Sequence, residues 1–173
     1  GGTVLLASDS TSRWGGFHGG PVVAQDPGDH YQGFQDCVQV RRLQSRHPLM
    51  EGVQTVIANR CGWLTPQSDG ALRWEVVARL PDGCTPAASS GQPLIMVGQI
   101  SSPRGGDVSG SIILAADQSL FINNMLWHGD NAILAVRISD LLCRGSRTRL
   151  LFVSDGEILP SYRDSPVMPS PQA

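Results

Sequence analysis

The chain reads as an all-β protein: a single-domain antiparallel β-sandwich, jelly-roll or Greek-key-like, with at most one or two short helices. Three observations predict this. Over 72–80, Leu72, Trp74, Val76, Ala78 and Leu80 alternate with Arg73, Glu75, Val77 and Arg79, the period of two that gives a strand one apolar and one mostly polar face. Acidic residues are lopsided, twelve Asp to three Glu, and Asp favours turns and caps where Glu favours helix interiors. Asp-Gly pairs at Asp69-Gly70, Asp82-Gly83 and Asp155-Gly156 then supply turn positions that tolerate positive φ.

Taken in order, β-branched or aliphatic runs place strands at 3–7, 21–25, 34–41, 53–58, 72–80, 94–100, 111–115, 132–139 and 148–154. The polar stretches at 8–20, 26–32, 85–93 and 101–110 exceed the two-residue connections of a meander, which points to the crossing connections of a jelly roll or Greek key. Over 117–128 an Asp cap precedes Leu120, Phe121, Asn124 and Trp127 at helical spacing, and one short helix is expected there. A strand over 119–123 turning at Asn123-Asn124 competes with it, and a second short turn is expected at 139–143. Three prolines in the last eight residues exclude a helix, so 1–165 is expected to form the sandwich and 166–173 an extended tail.

At 173 residues the chain is long enough to bury a core, since roughly 70% of the unfolded surface is lost at about this length. A net charge of −2 with 40% hydrophobic residues excludes disorder throughout, and no run approaches the ~18 apolar residues of a membrane span. A soluble protein is expected, with a virion as one location. Gly1 in place of Met marks a processed chain, a tag remnant or a fragment, and no signal peptide is visible. Cys37, Cys61, Cys84 and Cys143 are far apart, without a C-x-x-C pair, and free thiols are favoured over two disulfides.

Chemistry is sparse. His18, His30, His47 and His128 have no metal-ligand spacing, so no metal is expected, and no phosphate loop or dinucleotide fingerprint offers a cofactor seat. No catalytic residues are assigned; an enzyme would have only Asp29, His30 and Ser109 to draw on. The stretch Gly105-Gly106-Asp107-Val108-Ser109-Gly110 resembles the G-D-S-G of trypsin-like proteases, but Val108 breaks the spacing. Gly156 to Arg163 resembles the G-x-I-D-x-x-Y-R segment of dUTPase-like β-barrels, with Leu159 at the catalytic Asp, which implies an inactive relative at most. Gly1 to Leu6, Trp14-Gly15, Asp29-His30-Tyr31 and Leu72-Arg73-Trp74 together resemble, in order, some β-rich bacterial immunity proteins that neutralise toxins. That resemblance implies an inhibitor, whose acidic patch would be Asp26, Asp29 and Asp36.

All 13 basic residues are Arg, the cation suited to interfacial pairs, and they cluster at Arg41, Arg42 and Arg46 and at Arg144, Arg147 and Arg149. The slightly acidic chain lacks stacking aromatics among these clusters, so nucleic acid is not an expected partner. Trp14 and Trp127 lie in loop-like sequence and are candidate anchors for a protein partner. The expected role is a non-enzymatic structural or interaction subunit of a multi-copy assembly, most concretely a viral capsid component or surface projection. Its interface candidates are Trp14, Trp127, Arg144, Arg147 and Arg149, and its partner would be a copy of itself, a larger shell or another protein. An immunity-type inhibitor and a hydrolase with an unrecognised site are the alternatives.

Overall fold

Apolar alternation becomes strand wherever turn residues bound it. In the computed structural model, which describes residues 2–12, 16–65, 72–101 and 108–144 together with Val153–Ser154 and Glu157–Ile158, the elements follow in this order. β1 is Thr3–Ala7, β2 Phe17–His18, β3 Val23–Ala24, β4 His30–Tyr31, β5 Phe34–Val40, β6 Arg42–Leu43 and β7 Val56–Asn59. β8 is Trp63–Leu64, β9 Leu72–Arg79, β10 Cys84–Thr85, β11 Pro93–Ser101 and β12 Val108–Ala115; α1 is Asn123–Leu126 and α2 Asn131–Leu142. The chain divides into two units, Gly1–Leu142 and Cys143–Ala173, and the second contains a hairpin of β13 (Val153–Ser154) and β14 (Glu157–Ile158). The expected turn at Asp69-Gly70, the rest of the strand at 148–154 and the tail at 166–173 lie outside the described residues.

The protein is mostly β-strand in several sheets, as an all-β single domain requires. The largest sheet runs β1-β12-β11-β9-β6, and a three-stranded sheet runs β4-β5-β7; β2 pairs with β8, and β3 with β10. Val38, Val40, Val56 and Ala58 of the smaller sheet and Val77, Ile95, Met96, Ile113 and Leu114 of the larger share one buried cluster. Burying a side chain of this size is worth about 1.5–3 kcal/mol, so this shared cluster is what holds the sheets together.

One pairing departs from the antiparallel expectation: β1 lies parallel to β12, with Thr3 opposite Ser111 and Ala7 opposite Ala115. Every other strand pairing among the described residues is antiparallel. Strict alternation also fails at one place in β9. Val77, expected on the polar face, is fully buried beside Ala78, where the β9–β11 register shifts on either side of Ile95; such an irregularity re-aims side chains. Opposite Trp74, β11 carries Gly98, where an added Cβ would come within 2.6 Å of the indole, so the ring occupies the space a side chain would take.

The strand expected at 132–139 is instead part of the twelve-residue helix α2. β-branched Ile133, Val136 and Ile138 favour a strand locally, but Leu134 and Ile138, four apart, are buried, with Leu141 and Leu142 packed against the same core. Burial of an i, i+4 stripe outweighs a propensity difference of a few tenths of a kcal/mol per residue. The turn expected at 139–143 is the end of this helix. The short helix expected over 117–128 is present as a 3-10 turn at Gln118–Phe121 followed by α1, and the Asp117 side chain caps the turn by accepting from Ser119 N.

Side chains satisfy the outer edge of β7. Asp130 Oδ2 accepts from the backbone N–H groups of Gln54 and Thr55, both at 2.9 Å, and Asp117 Oδ2 accepts from that of Asn59 at 2.8 Å. Between them, buried Asn131 accepts from Ile57 N at 3.0 Å and donates to Ile57 O at 2.9 Å and Met125 O at 3.0 Å. Its amide thus takes the place of a neighbouring strand, which protects an edge that would otherwise template pairing with another chain.

Candidate functional site

Two surface features stand out, one polar and concave, the other aromatic and exposed. The concave feature follows from the parallel pair. In register, Val4-Leu5-Leu6-Ala7-Ser8-Asp9 runs beside Ile112-Ile113-Leu114-Ala115-Ala116-Asp117, so two similar strands end side by side, each followed by an Asp. Past those ends lies a cleft of about 490 Å³ lined by Asp9, Gly20, Pro21, Asn59, Arg60, Gln118, Ser119 and Ile122. Crevices outside the carboxyl ends of parallel strands are a recurrent ligand position in sheets with crossover connections.

Asp117 is fully buried beneath this cleft. Burial pushes its carboxyl up from the ordinary value; hydrogen bonds from Ser119 and from Asn59 N oppose the shift, and the nearby Asp9 charge adds to it. By accepting from Asn59 N and Ser119 N it ties the end of β7 to the loop after β12. Arg60 follows β7 at φ 53°, a left-handed conformation that is rare outside glycine, and its N–H donates to Asp36 O at 2.8 Å. Nothing in the sequence reading singled out Asp9, Asn59, Arg60, Gln118 or Ser119. The repeated aliphatic-Ala-x-Asp ending of 4–9 and 112–117 is the signal that marks their position.

The aromatic feature is built on the β4–β5 hairpin and on the turn after α1. Tyr31 OH meets His128 Nδ1 at 3.1 Å, with the two rings edge to face at 5.2 Å between centroids. Phe34 lies opposite Tyr31 across the hairpin and is 61% exposed. Trp127, the residue before His128, is 87% exposed, far more than a large aromatic side chain normally is in a folded chain. The backbone beneath it is held by His128 N to Met125 O at 3.1 Å and by the Asn131 side chain on Met125 O.

Of the interface candidates, Trp127 and Arg144 are exposed, Arg144 just beyond α2; Trp14, Arg147 and Arg149 lie outside the described residues. The residues an enzyme would have drawn on have other partners. Asp29 pairs with Arg41 at 3.3 Å, and His30 Nε2 meets the Ala24 carbonyl at 2.9 Å. Ser109 lies in β12, and its side chain is outside the described residues. In the acidic trio, Asp26 caps the turn at Pro27–Asp29, accepting from Gly28 N at 2.8 Å, so two of the three carboxylates are engaged locally. Arg42 is paired with Asp82 at 2.7 Å. Trp63 stacks on His18 at 4.9 Å, and all four cysteines are free, Cys61 and Cys84 buried and Cys143 exposed. Among the described residues no helix is long and apolar enough to cross a membrane.

No protein-family model and no curated protein matches the chain. Among solved structures, it is similar to one titled "mmIFT52 N-terminal domain", the N-terminal domain of an intraflagellar transport protein, with a TM-score of 0.59 at 15% identity. The match covers 83% of this chain and 65% of that one, and at this identity it speaks to the fold alone.

Proposed function

We propose that this domain is a non-enzymatic protein-interaction module, and that Trp127 anchors its contact surface. The observation that carries this reading is the 87% exposure of an indole on a short helical turn that hydrogen bonds hold in place. Exposing a tryptophan is unfavourable in water, and rigid, solvent-facing aromatics are what partners most often bury at the centre of an interface. Phe34, opposite Tyr31, is a second exposed aromatic, and the Tyr31–His128 contact joins its hairpin to the turn that bears Trp127. The structural neighbour, a domain of an intraflagellar transport protein, is alike in fold, and nothing in that likeness favours a capsid or surface-projection role.

Self-association is the form of partnership to test first, because the multi-copy role expected from the sequence requires it. Light scattering across a concentration series is expected to show a discrete oligomer that Trp127→Ala reduces to monomer, or a monomer that retains a source-cell protein which Trp127→Ala and Phe34→Ala no longer retain. A monomer whose bound proteins are the same for wild type and both variants overturns the reading.

A further inference from the structure

The polar cleft past the ends of β1 and β12 is distinct from the aromatic surface, and its charges are arranged for a ligand. Asp9 and Arg60 both line it, yet they form no ion pair with each other or with any other described residue, while Arg41, Arg42 and Arg137 each find an acid. The contacts to Asp9 are long: Gln118 Nε2 and Ser10 Oγ both donate at 3.4 Å. Arg60 is exposed and Asp9 half-buried, so both charges are accessible from solvent, and a ligand with a single charge would pair only one of them. A ligand carrying an amine and a carboxylate answers both.

The walls are preformed. Arg60 is held at φ 53° by its N–H on Asp36 O, and Val22 N donates to Cys61 O at 2.8 Å on the next residue. Gly20 packs directly on this backbone: an added Cβ would come within 2.5 Å of Arg60 O and 2.2 Å of Cys61 O. A non-glycine residue kept in the left-handed region is a strained position, and such positions concentrate at ligand sites. Opposite, buried Asp117 fixes Asn59 and Ser119 through their N–H groups, and Ile122, 51% exposed, adds an apolar rim. The volume of about 490 Å³ falls in the range of small-ligand pockets.

From this geometry we infer that the cleft binds a small zwitterion of the α-amino-acid class, with the carboxylate on Arg60, the ammonium on Asp9 and the side chain toward Ile122. NMR titration of the isotope-labelled full chain tests this, using the common amino acids and, for each that binds, the matched carboxylic acid lacking the amine and the matched amine lacking the carboxylate. The expected result is saturable movement of the Asn59, Arg60 and Ser119 amide signals by at least one amino acid, with each singly charged analogue at least about tenfold weaker. Arg60→Asn, which tolerates the left-handed conformation, and Asp9→Asn are each expected to weaken binding about tenfold or more, with the spectra confirming the fold. No movement at about 10 mM of any amino acid, equal binding of a singly charged analogue, or wild-type affinity in a folded variant overturns the proposal. Trp127→Ala is expected to leave this binding unchanged, which separates its outcome from that of the protein-interaction reading.

Discussion

Asp117 shows how one buried side chain couples two elements and makes stability depend on pH. Its carboxyl is raised above the ordinary value chiefly by burial, so ionising it in the fold costs more than in the unfolded chain. The contribution is fully present below the ordinary carboxylate range and is lost as pH rises through the raised value. Asp117→Asn abolishes that titration while keeping one acceptor oxygen, and the other carboxylates titrate in both proteins. The urea midpoint of the variant is therefore expected to rise relative to wild type as pH is raised from about pH 4, the ordinary carboxylate range. A constant difference means that Asp117 ionises in the fold as it does in the unfolded chain, and one that moves the other way means that the fold favours its charged form.

Cysteine reactivity follows from the same desolvation. Burial, with Asp29 and Asp82 adding to it, pushes the Cys84 thiol up to about 11, and burial raises Cys61 well above its ordinary value. At about pH 8 only about one Cys84 in a thousand is thiolate, the reactive form. Iodoacetamide on the native protein is expected to label the exposed Cys143 first, with Cys61 and Cys84 modified only in denaturant, as read by peptide mass mapping. Equal labelling rates for Cys84 and Cys143 in the native state contradict the burial described here.

At the scale of elements, what was legible depended on whether local pattern and tertiary burial agree. β1, β5, β9 and β11 follow from alternation or aliphatic runs bounded by turns, and their ends fall close to expectation. α2 does not, because Ile133, Val136 and Ile138 carry a strand-like composition while Leu134 and Ile138 carry a helical stripe. The parallel partnership of β1 and β12, separated by most of the first unit, is a long-range pairing that no short window shows; only the matched endings at Asp9 and Asp117 mark it. The cleft went unseen for the same reason, since its residues come from four separated segments. The two geometries possible for 131–142 predict opposite outcomes. Val136 is 59% exposed on α2, so Val136→Ala is expected to be neutral or stabilising by up to about 0.5 kcal/mol, whereas in a strand it destabilises. Leu134→Ala, fully buried, is expected to cost about 2–5 kcal/mol by urea unfolding.

For the whole molecule, the decisive contrast is between what holds the fold and what faces outward. The shared core is nearly closed to water, and the buried polar groups Asp117 and Asn131 find partners within the chain. Trp127 stands outside this economy of contacts, with most of its surface in solvent. Truncating it removes little that the folded state uses, so Trp127→Ala is expected to leave the urea midpoint equivalent to a change within about 0.5 kcal/mol of wild type. The same change is expected to weaken binding to the protein partner proposed for the domain by at least about 2 kcal/mol, or about thirtyfold in Kd, the usual mark of a central aromatic anchor. Measuring both quantities on one preparation separates the roles. A large loss of stability with binding intact would make Trp127 a structural residue, and an unchanged Kd at unchanged stability would place the contact surface elsewhere on the domain.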